Sequence, residues 1–317
     1  MDAAALERLR QHFPRPREPM GEAWFMGSSR RMFGELQGDI ARLSPRELQG
    51  PLTEIASGTS CFGPRQEWTD WYHHLLAPLL PRSHESFVSY LLESLVTGFM
   101  TLYPNGIHAS PYPEFQDDML RTLGRCMMDA GCWQGQDIAV GSMLHCSNEH
   151  PREVWGWWDA SGDFSASMFF CLKYLPEAQV EGWLRSVLAI PSPHWRAQLM
   201  VWAVGARGLL RGDQRWPSEL EEHGRSVVVW EWSHALKPEL AAADTSDAPR
   251  MDSLLPPGNR SRALEVLSAW FAEDSWPDWL ASLARFPYLE SELGELPAAF
   301  EACYVPPRPR SAYPRVA

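Results

Sequence analysis

Apolar residues recur three and four positions apart along most of this chain, and runs that alternate apolar with polar are nearly absent. The pattern predicts a mostly helical protein. Its widest stripe lies between Ser83 and Tyr103, where Phe87, Tyr90, Leu91, Leu95, Phe99 and Leu102 share one face and Val88, Leu92, Val96 and Met100 broaden it. So broad a face belongs at the centre of a bundle. A second pairing is read between Pro176 and Leu210. There Val180, Trp183, Leu184, Val187 and Leu188 form one face, and Trp195, Leu199, Trp202, Ala206 and Leu210 form the face that answers it.

Helix starts are marked by capping chemistry. Ser44-Pro45-Arg46-Glu47 joins an N-cap serine, a proline at the first helical position and a carboxylate able to satisfy first-turn amides. Ser192-Pro193 repeats the signal, Ser218 to Glu221 is another capping box and Ser275 to Asp278 a weaker one. Helices are predicted near residues 2–12, 22–37, 45–57, 65–80, 84–103, 114–131, 163–175, 177–190, 193–210, 217–236, 260–273, 276–286 and 289–303. The run Val227-Val228-Val229-Trp230 is the best strand candidate, but Trp230 and His234 continue a helical spacing and the run is assigned to a helix.

Short, often proline-containing connections join these helices as antiparallel neighbours. The fold class expected is all-α, as irregular stacked helical hairpins: a HEAT-like solenoid or a multi-helix bundle with little or no sheet. No second copy at a fixed period supports a regular array. Residues 1–237 are read as the main helical domain, 238–258 as a mobile linker or loop, 259–304 as a C-terminal helical cap on the main body and 305–317 as an extended, proline-rich tail.

Composition changes the picture in one direction. The 317 residues carry 28 basic and 40 acidic groups, a formal charge of −12, which disfavours binding to a phosphate backbone. Lys173 and Lys237 are the only lysines, a skew read as the codon bias of a GC-rich bacterial genome. Ser86 to Tyr103 is too short to span a bilayer comfortably and has Glu93 at its middle, so no membrane span is expected. Asp2 and Glu7 break the N-terminal stretch, which has no apolar core of the kind a secretory signal needs. The six cysteines are then expected to be reduced and mostly buried, in a cytoplasmic protein.

Candidate chemistry is sparse. Cys126, Cys132, His145, Cys146 and His150 are zinc-ligand types gathered within one stretch, but Cys126 and Cys132 stand six apart rather than in a tight knuckle. Asp117-Asp118, after Phe115, resembles the aspartate pair with which helical terpene synthases hold magnesium. Arg121 stands where a third acid would be wanted, so first-turn helix charge is the simpler reading. His73 and His74 follow Trp68 and Trp71, with His84 and Glu85 beyond the turn at Pro81, a set able to do acid–base work if packing brings it together. Nucleophile-elbow, phosphate-loop, zinc-protease and dinucleotide motifs are absent from the sequence.

Sixteen tryptophans are the most unusual part of the composition. Trp183, Trp195, Trp202, Trp270 and Trp279 fall at core spacing. Trp155, Trp157 and Trp158, around Gly156 and before Asp159, look like a loop whose indoles form a contact surface. These features together lead to the expectation of a protein-binding module without cofactor or metal, of the immunity-protein type, that neutralises a basic toxin or effector. The partner-binding set is Trp155, Trp157, Trp158 and Asp159 with Glu219, Glu221, Glu222, Glu290, Glu292 and Glu295. A metal- or histidine-dependent helical enzyme and a helical scaffold or regulatory subunit are the alternatives.

Overall fold

The computed structural model describes residues 1–18, 22–25, 28–58, 65–85, 88, 90–128, 160–220, 228, 230–237, 252–272 and 275–305. In chain order the regular elements are α1 (Ala3–His12), β1 (Glu22–Phe25), β2 (Ser28–Arg31), α2 (Pro45–Ser57), α3 (Arg65–Leu79), α4 (Arg82–Glu85), α5 (Leu91–Leu102), α6 (Phe115–Met119), α7 (Ala160–Tyr174), α8 (Glu177–Leu188), α9 (Pro193–Gly205), α10 (Arg207–Arg211), α11 (Pro257–Ala272), α12 (Ser275–Leu283), α13 (Pro287–Leu293) and α14 (Leu296–Tyr304). The architecture is all-helical, with one two-stranded antiparallel hairpin as the sheet among the described residues. Among those residues no helix is long and apolar enough to cross a membrane.

Capping places several helices where the sequence puts them. Ser44 accepts from the amide of Glu47 at 3.3 Å while the Glu47 carboxylate accepts from the amide of Ser44 at 2.8 Å, and α2 starts at Pro45. Ser192 accepts from the Trp195 amide in the same way, opening α9. Elsewhere the prediction is corrected. The helix expected over 22–37 is instead the hairpin, paired from Glu22↔Arg31 to Phe25↔Ser28, followed by a 3-10 turn at Glu35–Gln37. Gly27, Ser28 and Ser29 are poor helix formers, and a glycine between two short segments is a hairpin signal that outweighs the apolar spacing.

The helix expected over 217–236 is likewise not continuous, since its described parts are 3-10 turns at Pro217–Glu219 and Ser233–Leu236. The helix expected over 114–131 shortens to α6, and a π turn at Leu120–Gly124 takes up the chain. At α5 the helix begins at Leu91 because Tyr90 adopts the left-handed conformation, with φ of 66°.

The pairing of helices decides between the two arrangements of the all-α class. α5 packs on α2 and α7, α8 on α11, and α9 on α14 and α12. In a solenoid each unit touches its sequence neighbours. Here most partners are distant in sequence, which is the pattern of an irregular multi-helix bundle. The faces expected to answer each other across α8 and α9 are both buried, but chiefly against the C-terminal helices. Those helices therefore sit on the main body. Of the stretch expected to be a mobile linker, residues 252–258 are pinned: Leu254 and Leu255 are buried, and Leu254 bonds through its amide to Arg215 and through its carbonyl to the Lys173 ammonium.

One core joins all of this. Trp183, Trp195, Trp202 and Trp279 are buried and Trp270 is partly buried, as their spacing predicts. Trp202 meets Phe169 of α7 with ring centroids 5.6 Å apart, so Trp202→Ala is expected to cost about 3–5 kcal/mol, read from the shift in denaturation midpoint. Gly98 of α5 has the ring of Tyr72 where a Cβ would come within 2.8 Å, and that ring is fixed by the bond from its hydroxyl to the Leu95 carbonyl. Gly98→Ala is therefore expected to destabilise the protein although alanine is the better helix former. Overpacking at about 1–3 kcal/mol outweighs a propensity gain of about 1 kcal/mol, and the denaturation midpoint checks the sign.

Candidate functional site

A fully buried polar feature is built on α5 and α7. Tyr90, in its left-handed turn, offers no side-chain cap to α5, and the first-turn amide of Glu93 needs an acceptor from elsewhere. Asp163, in the first turn of α7, supplies it: its Oδ1 accepts from the amide of Glu93 at 2.7 Å. Glu93, on α5, passes the pattern on. Its Oε1 accepts from the amide of Trp232 at 3.2 Å, and the amide of Glu231 lies close enough to favour its charged form. Thr97, one turn further along α5, donates to the Glu93 carbonyl and accepts from the Trp230 indole at 2.9 Å. The Trp230 ring stacks on Phe169 of α7. Two buried carboxyl groups thus bind α7, α5 and the segment 230–237 together.

Their environment sets their protonation. Burial pushes Glu93 up to about 8, with the neighbouring Asp163 charge adding to the shift and the two backbone amides opposing it. Burial also pushes Asp163 up to about 7 against the amides of Glu93 and Leu92. Glu93 Oε2 and Asp163 Oδ2 have no hydrogen-bond partner among the described residues, and neither do the hydroxyls of Ser94 and Ser167 close by in sequence. The folded protein therefore keeps protons that the unfolded chain releases near pH 4, so each carboxyl costs stability as pH rises from there to its own raised value.

His73 works in the opposite sense. Burial lowers it to about 4, its Nε2 lies 3.0 Å from the Tyr103 hydroxyl and its ring stacks on Phe13, so it is a core histidine kept neutral. His194, also lowered to about 4 by burial, is a second. Both cost stability as pH falls from about 6.5 toward 4. His74 contacts the Phe13 carbonyl through Nδ1. The side chains of His84 and Glu85 lie outside the described residues, and no acid–base pairing with them is assigned.

The other candidates resolve into structural roles or fall outside the described residues. Asp118 is fully buried and takes two hydrogen bonds from the Arg8 guanidinium and one from the Tyr112 hydroxyl, while exposed Asp117 pairs with Arg121 at 2.7 Å. The two aspartates are thus drawn to different partners rather than to a shared ion. The Cys126 thiol is buried against the Ser83 hydroxyl. Cys132, His145, Cys146 and His150 lie outside the described residues, and among the described ones no three metal-ligating side chains come together. A groove of about 700 Å³ runs between α6 and α8 over Leu120, Trp183 and Val187, and neither Glu93 nor Asp163 lines it.

Of the residues expected to bind a partner, Trp155, Trp157, Trp158, Asp159, Glu221 and Glu222 lie outside the described residues. Glu219 is half-buried and its carboxylate accepts from the Arg215 amide at 2.8 Å, which closes a local turn. Glu290, Glu292 and Glu295 are exposed at α13 and at the turn before α14. No cation among the described residues pairs with Glu290 or Glu295. The carboxyl pair itself was not among the expected site residues. A carboxylate alone in an apolar stripe signals a buried partner, but nothing local identifies Asp163. No family model, curated protein or solved structure matches the chain at a significant level.

Glu93→Gln keeps the acceptor oxygen and cannot ionise. Its stability relative to the native protein is expected to improve as pH rises, by at most about 1.4 kcal/mol per pH unit, and to level off above about 8. Denaturant midpoints of both proteins at pH 5, 7 and 9 check this, and the histidine contributions cancel in the comparison.

Proposed function

We propose that the protein acts by binding another protein, an immunity-type module that occludes a basic toxin or effector. The observation that carries this reading is the charge of the C-terminal helices. Residues 275–305 hold five exposed carboxylates, Asp278, Glu290, Glu292, Glu295 and Glu301, against one exposed cation, Arg285. Leu280 of α12, one of two large hydrophobic residues exposed among the described ones, adds an apolar contact to the same helices. A concentrated negative field steers a basic partner into encounter, and an apolar contact slows its escape. The buried thiols of Cys126 and Cys171 suit a reducing compartment, and on this reading the encounter is cytoplasmic.

The test is co-expression with the product of the adjoining gene, followed by measurement of association and dissociation rates at two salt concentrations. Replacing Glu290, Glu292 and Glu295 together by lysine is expected to lower the association rate roughly tenfold at low salt and to flatten its salt dependence. Trp157→Ala is expected to speed release with little change in association. If neither variant alters either rate, the surface assigned here is wrong. If the purified protein turns over a substrate and binds no basic partner, so is the function.

A further inference from the structure

The contacts of Glu93 and Asp163 are unequal in strength on their two sides. On one side α5 and α7 pack along their lengths through Phe99 against Phe170 and Tyr174, with Tyr174 also bonded to the Tyr103 carbonyl. On the other, the segment 230–237 is anchored at its start by the buried Trp230 indole, bonded to Thr97, and beyond Trp230 its main chain is fastened to α5 at Glu93, where the amide of Trp232 meets the carboxyl group. A neutral carboxyl accepts that amide at modest cost. A carboxylate in the same place faces only the neutral amides of Trp232 and Glu231, with Asp163 and the side chain of Glu231 as its charged neighbours, both negative.

We propose that Glu93 is a proton-operated latch: protonated, it holds the segment 230–237 on α5, and on losing its proton it releases the segment beyond Trp230 while the helices stay folded.

The ionisable groups on the elements packed against α5 leave this assignment intact. Glu54 of α2 is committed to the amide of Phe33, Tyr72 of α3 to the Leu95 carbonyl, and His73 to Tyr103. Arg121, in the π turn, is paired with Asp2 and Asp117. Lys173 stands ten residues beyond Asp163 on α7, about 15 Å away along the helix, and donates to the Leu254 carbonyl. Within the segment itself His234 packs on Trp232. Arg121 and Lys173 thus have other contacts, and Arg46, Arg65 and Lys237, the remaining cations of α2, α3 and the segment, are not among the groups that act on Glu93, so the carboxylate is relieved by reaching water, which means leaving its amide partner.

Amide hydrogen exchange of the intact protein, corrected for intrinsic chemical exchange, reads the latch directly. In the native protein the protection of peptides covering 230–237 is expected to fall about tenfold per unit between pH 6 and 8 and then to level off. Peptides from α5, α7 and α8 are expected to keep theirs. Glu93→Gln, which retains the acceptor without the charge, is expected to hold the segment equally at every pH. Asp163→Asn, which removes the neighbouring negative charge and keeps an acceptor for α5, is expected to show a smaller fall that levels off at lower pH, and it carries the comparison if Glu93→Gln does not fold. A pH-independent segment in the native protein, an equal fall in Glu93→Gln, or loss of protection in α5 and α7 together with the segment would each overturn the proposal.

Discussion

Helix α5 enters the middle of the bundle with nothing of its own to cap it, and a carboxyl group from another helix makes good the deficit. Tyr90, immediately before it, is in the left-handed region and gives no side-chain cap, and while the Leu91 amide reaches the Val88 carbonyl, that of Glu93 needs an acceptor from another helix. An unsatisfied buried amide costs about 1–3 kcal/mol. Asp163 satisfies that of Glu93, and its position in the first turn of α7 fixes where that helix starts relative to α5. The cost is a second problem, because a carboxyl group now sits in the interior with one oxygen unpaired. Protonation is the solution the environment imposes, and Glu93 repeats it one step further along.

Around that point the rest of the core is arranged. α5 is glycine-notched at Gly98, which admits the Tyr72 ring and brings α3 close. Its other face meets an aromatic cluster in which Phe99, Phe115, Tyr103 and Tyr174 touch one another in tilted or edge-on pairs. Further out, α7 hands the contact on through Phe169 to Trp202 of α9 and to Trp230. The C-terminal helices close over α8 and α9, so the buried aromatic residues belong to one hydrophobic core that extends from α1 to α14.

Helix content and core faces were legible in the sequence because both depend on residues a turn apart. Ser44 with Glu47, the stripe over 91–102 and the tryptophans of α8 and α9 are all short-range patterns. What could not be read depends on partners far along the chain. Glu93 stood out as a carboxylate in an apolar run, yet its contacts lie 70 and 139 residues away. Asp118 looked like half of an aspartate pair, and what defines it is Arg8, 110 residues earlier. His73 read as a possible acid–base group, and only the closeness of Phe13 and Tyr103 shows it to be core. The hairpin at 22–31 was lost for another reason. The apolar spacing there is real, since Met32, Phe33 and Leu36 are buried, but it is delivered by a turn rather than by a helix.

The buried pair also bears on the surface charge that a partner would meet. The formal value of −12 treats every one of the 40 acidic groups as ionised, whereas Glu93, raised to about 8, still carries its proton at neutral pH and Asp163, raised to about 7, is then only part-ionised. Several other acids are paired in place, Asp118 with Arg8, while Asp117 and Asp2 share the single charge of Arg121. The field outside the protein is therefore set less by the total than by where carboxylates stand exposed without a cation. Among the described residues Glu290, Glu295 and Glu301 on the C-terminal helices meet that condition, and so do Glu35, Glu231 and Asp252 elsewhere. Carboxyl groups thus stand in two settings: protonated in the interior, where they act as hydrogen-bonding joints, and ionised at exposed positions, where water solvates them.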